Sequence, residues 1–124
     1  MMLKIAVVTE DGNNISSHFG MAPMYRVFTI KENNVVSDET RSKPYHQRHP
    51  DHKQGGHGAH GHADMFAPIS DCQVLLCGGM GTPAYQKAQA AGLEVVLVGG
   101  EIQAAVQAYL AGQITSDSRR VHRH

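Results

Sequence analysis

A short cassette in the second half of the chain constrains the fold most. The apolar run Val74-Leu75-Leu76-Cys77 is followed by Gly78-Gly79-Met80-Gly81, then Thr82-Pro83, then a helical stretch ending at Gly92, then a second apolar run over residues 93–98. Threonine can cap a helix, and proline in its first turn loses no hydrogen bond. Glycine after the last helical residue supplies a left-handed stop. Strand, tight glycine turn, short helix and strand imply a parallel, right-handed crossover unit. A second helix is expected over residues 101–111. Ile102, Ala105, Val106, Tyr109 and Leu110 form its apolar side, and Gly112 ends it.

The first half supplies the rest of a sheet. Residues 3–8 are a continuous, β-branched apolar run, read as a strand covered on both faces. Residues 10–23 are rich in Gly, Asn, Ser and Pro and read as a loop. Residues 24–30 alternate, with Tyr25, Val27 and Thr29 on one face and Met24, Arg26, Phe28 and Ile30 on the other. Glu32-Asn33-Asn34 signals a turn, and residues 35–40 return as a hairpin partner. Residues 63–69 resume a short helical pattern through Met65, Phe66 and Ile69. The expected order is β-β-β-α-β-α-β-α. It describes one α/β domain over residues 1–124, built on a mixed five-stranded sheet with helices packed on it.

Residues 41–62 interrupt this pattern as a histidine-rich insertion. His46, His49, His52, His57, His60 and His62 are interleaved with glycine, proline and charge. Neutral imidazoles at such spacings suit zinc, nickel, cobalt or copper. A flexible loop must lose entropy to close round an ion, so the segment reads equally well as a solvated insertion that binds metal adventitiously.

Charge and length exclude several classes. Eleven Lys and Arg balance eleven Asp and Glu in 124 residues, so no basic stripe marks a nucleic-acid partner. Arg119, Arg120 and Arg123 cluster only at the tail, which is expected to be solvated and to fray. No apolar run approaches the ~20 residues of a membrane span. The opening run is too short and too β-like for a signal peptide, so the cytoplasm is expected, with Cys72 and Cys77 reduced. On one strand, five apart, the two cysteines would face opposite ways, and no disulfide between them is expected.

Ligands in such sheets sit at the carboxyl ends of the strands. The loops leaving those ends are residues 9–23 and the Gly78-Gly79-Met80-Gly81 turn. In Ser17-His18-Phe19-Gly20-Met21-Ala22-Pro23, His18 is a candidate metal ligand. Taken alone, it reads more readily as a loop histidine bonded to the backbone. No nucleophile in context supports a role for it as a catalytic base. In Cys77-Gly78-Gly79-Met80-Gly81, glycines let a backbone approach a ligand, and the following helix start favours an anion. Cys77 and Met80 offer soft sulfur, or simply fill the core. The spacing is neither a Walker loop nor a dinucleotide fingerprint. The adjacent acids Glu10 and Asp11, and Asp38 and Glu39, read as solvated surface, so no carboxylate pair supports an enzyme.

In this order, these pieces resemble the dinitrogenase iron–molybdenum cofactor biosynthesis family. The resemblance rests on Lys4-Ile5-Ala6-Val7-Val8, on residues 17–23, on residues 77–81, and on Ala90-Ala91-Gly92-Leu93-Glu94-Val95 through to residues 105–112. It implies a ribonuclease-H-like α/β fold, with the hairpin on one side of the first strand and the later strands on the other. It implies non-enzymatic binding or carriage of an iron–sulfur or molybdenum-containing cluster, with an assembly or acceptor protein as partner. The site would comprise His18, Phe19, Gly20, Cys77, Gly78, Gly79, Met80 and Gly81. The histidine-rich insertion departs from the family pattern. It leaves open binding of Zn, Ni or Cu as the alternative, and a nuclease of the same fold class is the remote one, since the first and fourth strands carry no carboxylate.

Overall fold

A computed structural model describes residues 2–43, 65–114, 116–117 and 121–122. The histidine-rich positions His46, His49, His52, His57, His60 and His62 lie outside the described residues. The elements are β1 (Met2–Thr9), β2 (Met24–Lys31), β3 (Asn34–Ser42), a single 3-10 turn (Ala67–Ile69), β4 (Val74–Cys77), β5 (Met80–Gly81), α1 (Thr82–Ala90), β6 (Glu94–Leu97), α2 (Ile102–Leu110) and β7 (Val121–His122). The main sheet has the order β3-β2-β1-β4-β6. β1, β4 and β6 are parallel, and β2 runs antiparallel to both β1 and β3. The hairpin therefore lies on one side of β1 and the crossover unit on the other, as expected.

Apolar patterning explains the layering. β1 alternates its side chains between two cores, and every residue from Ile5 to Thr9 is buried. Ala6 and Val8 join Tyr25, Val27, Leu75, Leu97 and Ala88 of α1 on one face. Ile5 and Val7 join Phe28, Leu76, Val96 and the apolar side of α2 on the other. One helix thus covers each face, the usual reason a parallel strand is apolar throughout.

The hairpin turns at Glu32 and Asn33, which both adopt positive φ (51° and 67°). That conformation matches the twist of a two-residue hairpin, and asparagine tolerates it. β3 extends further than expected, to Ser42, and carries a bulge at Val36.

Five expectations are corrected. The helical pattern over residues 63–69 appears, in its described part, only as the 3-10 turn; Pro68 sits in its first turn, and the segment is too short to propagate a helix. Met80 and Gly81 are not part of the tight turn but the strand β5, which pairs in parallel with β7. The tail is accordingly tied down in part: the Asp117 N–H donates to the Leu97 carbonyl at 2.8 Å, and the Leu97 N–H donates to Ser116 Oγ at 2.9 Å. The cap residue of α1 is Gly81 rather than Thr82, with no side-chain cap bond. Finally, Cys72 precedes β4, so strand alternation does not reach it; both cysteines are buried in the same core layer, and both are free.

Candidate cluster site at the carboxyl edge of the sheet

Three loops leave the carboxyl ends of β1, β4 and β6, and backbone hydrogen bonds stitch them together. Residues 9–16 form the first stitch. The Thr9 hydroxyl donates to the Asn14 carbonyl at 2.7 Å and accepts from the Gly12 N–H at 2.9 Å. The Asp11 carboxylate accepts the Asn13 and Asn14 N–H groups, each at 2.8 Å. Those bonds, Asn14 first, hold its pKa down to about 2. Ile15 N–H then donates to the Gly100 carbonyl at 2.9 Å, and Ile102 N–H to the Asn13 carbonyl at 2.9 Å, tying in the loop after β6.

The second stitch joins the β1 and β4 loops. Ser16 N–H donates to the Val8 carbonyl at 2.8 Å, Gly78 N–H to the Ser16 carbonyl at 2.8 Å, and Phe19 N–H to the Gly79 carbonyl at 3.1 Å. The approach is so close that a Cβ at Gly78 would lie 2.8 Å from the Ser16 oxygen and 3.1 Å from Ser17 Cα. Glycine at 78 is therefore required by loop contact; its amide is already bonded within the protein.

Residues 18–22 form a hydrogen-bonded turn, with Met21 and Ala22 N–H both donating to the His18 carbonyl, at 3.0 and 3.1 Å. Ser16 Oγ donates to Glu10 Oε2 at 2.9 Å and accepts the His18 N–H at 3.0 Å. The serine thus fixes the backbone of His18 and not its imidazole. His18 itself is exposed.

The expected site residues divide into two groups. His18 is exposed and Gly20 and Gly81 are half-buried, at the rim of the stitched loops. Phe19, Cys77, Gly78, Gly79 and Met80 are buried beneath it. The Phe19 ring is 2% exposed and stacks on Phe66 with centroids 5.3 Å apart. Cys77 Sγ donates to the Gly79 carbonyl at 3.1 Å, and burial pushes its thiol up to about 11. A neutral, enclosed thiol is a poor ligand without a local opening. Met80, 1% exposed, is enclosed as well.

Three residues outside the expected set belong to this region. Met21 is 48% exposed on the same turn as His18; at a spacing of three in a helical turn the two share a face. Ser16 organises the turn, as above. Lys43, the residue after β3, is buried with its Nζ 3.1 Å from the Ala22 carbonyl oxygen, to which it donates. Sequence offers no signal for Lys43, which opens an aperiodic stretch; for Met21, its place in the loop motif was the available clue. Among the described residues, no group of three or more His, Cys, Asp or Glu side chains comes together as a metal site. No helix among them is long and apolar enough to cross a membrane.

A family model described as dinitrogenase iron-molybdenum cofactor matches residues 1–112. No curated protein matches the sequence. Among solved structures, the chain is similar to the protein PH0822, at 23% identity and TM-score 0.67, over 93% of this chain and 95% of that one. It is similar to a candidate dinitrogenase from Methanocaldococcus jannaschii, at 15% identity and TM-score 0.65, over 95% and 97%. It is also similar to the apo form of the orange protein of Desulfovibrio gigas, at 25% identity and TM-score 0.65, over 95% of each chain.

Proposed function

Because the chain belongs to the dinitrogenase iron-molybdenum cofactor family, we propose that it binds and carries a preassembled, anionic metal–sulfur cluster at the joined loops after β1 and β4. The observation that carries this reading is the loop junction itself. The bonds from Gly78 to Ser16 and from Phe19 to Gly79 hold the exposed His18 beside a glycine-rich turn and the start of α1. A cluster whose metals are already ligated by sulfide asks little of the protein. One imidazole, nearby backbone and the positive end of a helix suffice to dock it. A bare divalent ion would ask for several protein donors. The similar orange protein, whose structure is of an apo form, is by that name a protein that has a loaded form as well.

The strand order, with β2 antiparallel to its neighbours, supports reading the architecture as a ribonuclease-H-like motif. A nuclease activity does not follow from it, since β1 and β4 contain no carboxylate. The Ser16 hydroxyl donates to Glu10 and accepts the His18 N–H, and Ser16 is buried, so these bonds are read as fixing the loop. The protein is thus read as a non-enzymatic carrier. It would work in the cytoplasm, where Cys72 and Cys77 stay reduced, and hand its cargo to an assembly or acceptor protein.

A second reading has one observation in its favour. The residues that flank positions 44–64 are both fixed at the site: Lys43 N–H donates to the Pro23 carbonyl at 2.9 Å, and the Tyr25 hydroxyl donates to the Met65 carbonyl at 2.6 Å. On this reading the histidines between those two anchored residues would bind Zn, Ni or Cu. Anaerobic reconstitution with iron, sulfide and molybdate separates the readings. Stoichiometric metal with sulfide, kept on deletion of residues 46–62 and lost in His18→Ala, is expected of a cluster carrier. Metal without sulfide, lost with that deletion and kept in His18→Ala, favours the divalent-ion reading.

A further inference from the structure

A charge lies buried directly behind the loop that presents His18. Lys43 is 2% exposed, a position where an ammonium is costly to desolvate. Its Nζ donates to the Ala22 carbonyl at 3.1 Å and lies 4.3 Å from the Phe19 ring centroid and 5.9 Å from that of Tyr25. Met65 Sδ is 3.9 Å away. Burial pulls the ammonium down to about 8, while the neighbouring Cys77 acts to raise it, so at neutral pH the group is still predominantly a cation.

Its contacts show what it touches. Ala22 and Phe19 belong to the turn over residues 18–22, and Tyr25 is the second residue of the strand that follows. A desolvated cation on aromatic faces holds more strongly than an exposed one. In a low-dielectric interior its field also reaches further than it would through water.

We propose that Lys43 is a positioning residue of the site: it clamps residues 19–22 from beneath, so that His18 faces outward, and sets behind the loop a positive charge that selects an anionic cargo. The charge selection rests on the cluster-binding reading; the clamp does not.

Two variants test it, Lys43→Met without charge and Lys43→Arg with it. The first readout is hydrogen exchange at the Phe19, Met21 and Ala22 amides in the protein alone. In Lys43→Met these amides exchange about tenfold faster or more while β1 and β4 amides keep their rates, and Lys43→Arg restores most of the protection. Wild-type rates at the three amides in Lys43→Met overturn the clamp. So does an equal acceleration across the sheet, which would mark a general structural role.

The second readout is binding of tetrathiomolybdate, followed by visible absorption. Lys43→Met is expected to bind it about tenfold more weakly than wild type, and Lys43→Arg within about threefold. Equal affinity in wild type and Lys43→Met overturns the charge selection and leaves cluster binding standing. Failure of the wild type to bind overturns the cluster reading and the charge selection together, and the exchange rates alone then decide the clamp.

Discussion

The two halves of the sheet are held together by different physics. In the parallel half, β4 is buried along its whole length, β1 is buried from Ile5 onward, and a helix covers each face. In the hairpin half, β3 is exposed at every position but the half-buried Arg41. The side chains of this outer strand are tied by ion pairs: Arg26 of β2 with Asp38 at 3.2 Å, and Arg41 with Asp71 at 2.7 Å. The proposed site lies where the halves meet. The apolar half supplies the fixed Gly78-Gly79 turn, and the loop that carries His18 leads from β1 directly into the hairpin. A buried turn is thereby joined by backbone hydrogen bonds to a loop whose His18 and Met21 are exposed.

The comparison breaks first if the apolar half is less decisive than its burial suggests. Leu75 is fully buried at the centre of β4, and Leu75→Ala should cost about 3 kcal/mol in urea unfolding, because the surrounding sheet can only partly collapse onto the cavity. Gly78→Ala comes next. Its Cβ would press on backbone, at 2.8 Å from the Ser16 oxygen, so the strain should reach about 2 kcal/mol and part the two loops. Thermal melting reads the first effect, and loss of reconstituted cluster at temperatures where the variant is folded reads the second.

The ion pairs should matter less. Asp71 accepts from Arg41 at 2.7 Å and from Lys4 at 3.1 Å, and Arg41, the larger cause, holds its carboxyl well below the usual carboxylate range. Its side chain is 46% exposed, so screening limits Asp71→Asn to about 1 kcal/mol or less at pH 7. A carboxyl whose pKa is lowered in the folded state contributes fully above its unfolded pKa of about 4 and loses that contribution as pH falls. The gap between wild type and Asp71→Asn should therefore close in unfolding curves taken from pH 5 downward. A gap that widens there would mean the carboxylate is not stabilised in the fold. The smallest effect belongs to Val36, 56% exposed at the bulge of β3. Val36→Lys should change stability by less than about 0.5 kcal/mol.

The same contrast explains what could be read from sequence. β1, β4, β6 and both helices announce themselves because burial on two faces, or on one helical face, leaves continuous or periodic apolar patterns. The loop motif at His18 and the turn at Cys77 were visible for a similar reason: glycine and proline punctuate them. What stayed hidden depends on contacts far apart in sequence. β5 and β7 are two residues each and exist only because they pair with one another. Lys43 looks like any surface lysine until Phe19, Ala22 and Tyr25 close round it. The burial of Cys77 and Met80 depends in the same way on the loop from β1 lying over the turn. Sequence singled out the two loops that the structure joins, but not which of their side chains face out.

The most direct test of the proposed docking site is an amide shift map on the uniformly nitrogen-15-labelled protein, titrated anaerobically with tetrathiomolybdate. The expected shifts concentrate at His18, Gly20 and Met21 and at Gly79 to Gly81, with the β2–β3 turn at Glu32 and Asn33 unmoved. Shifts centred on the hairpin, or spread evenly over the sheet with the His18 loop unaffected, would contradict a binding site at the joined loops.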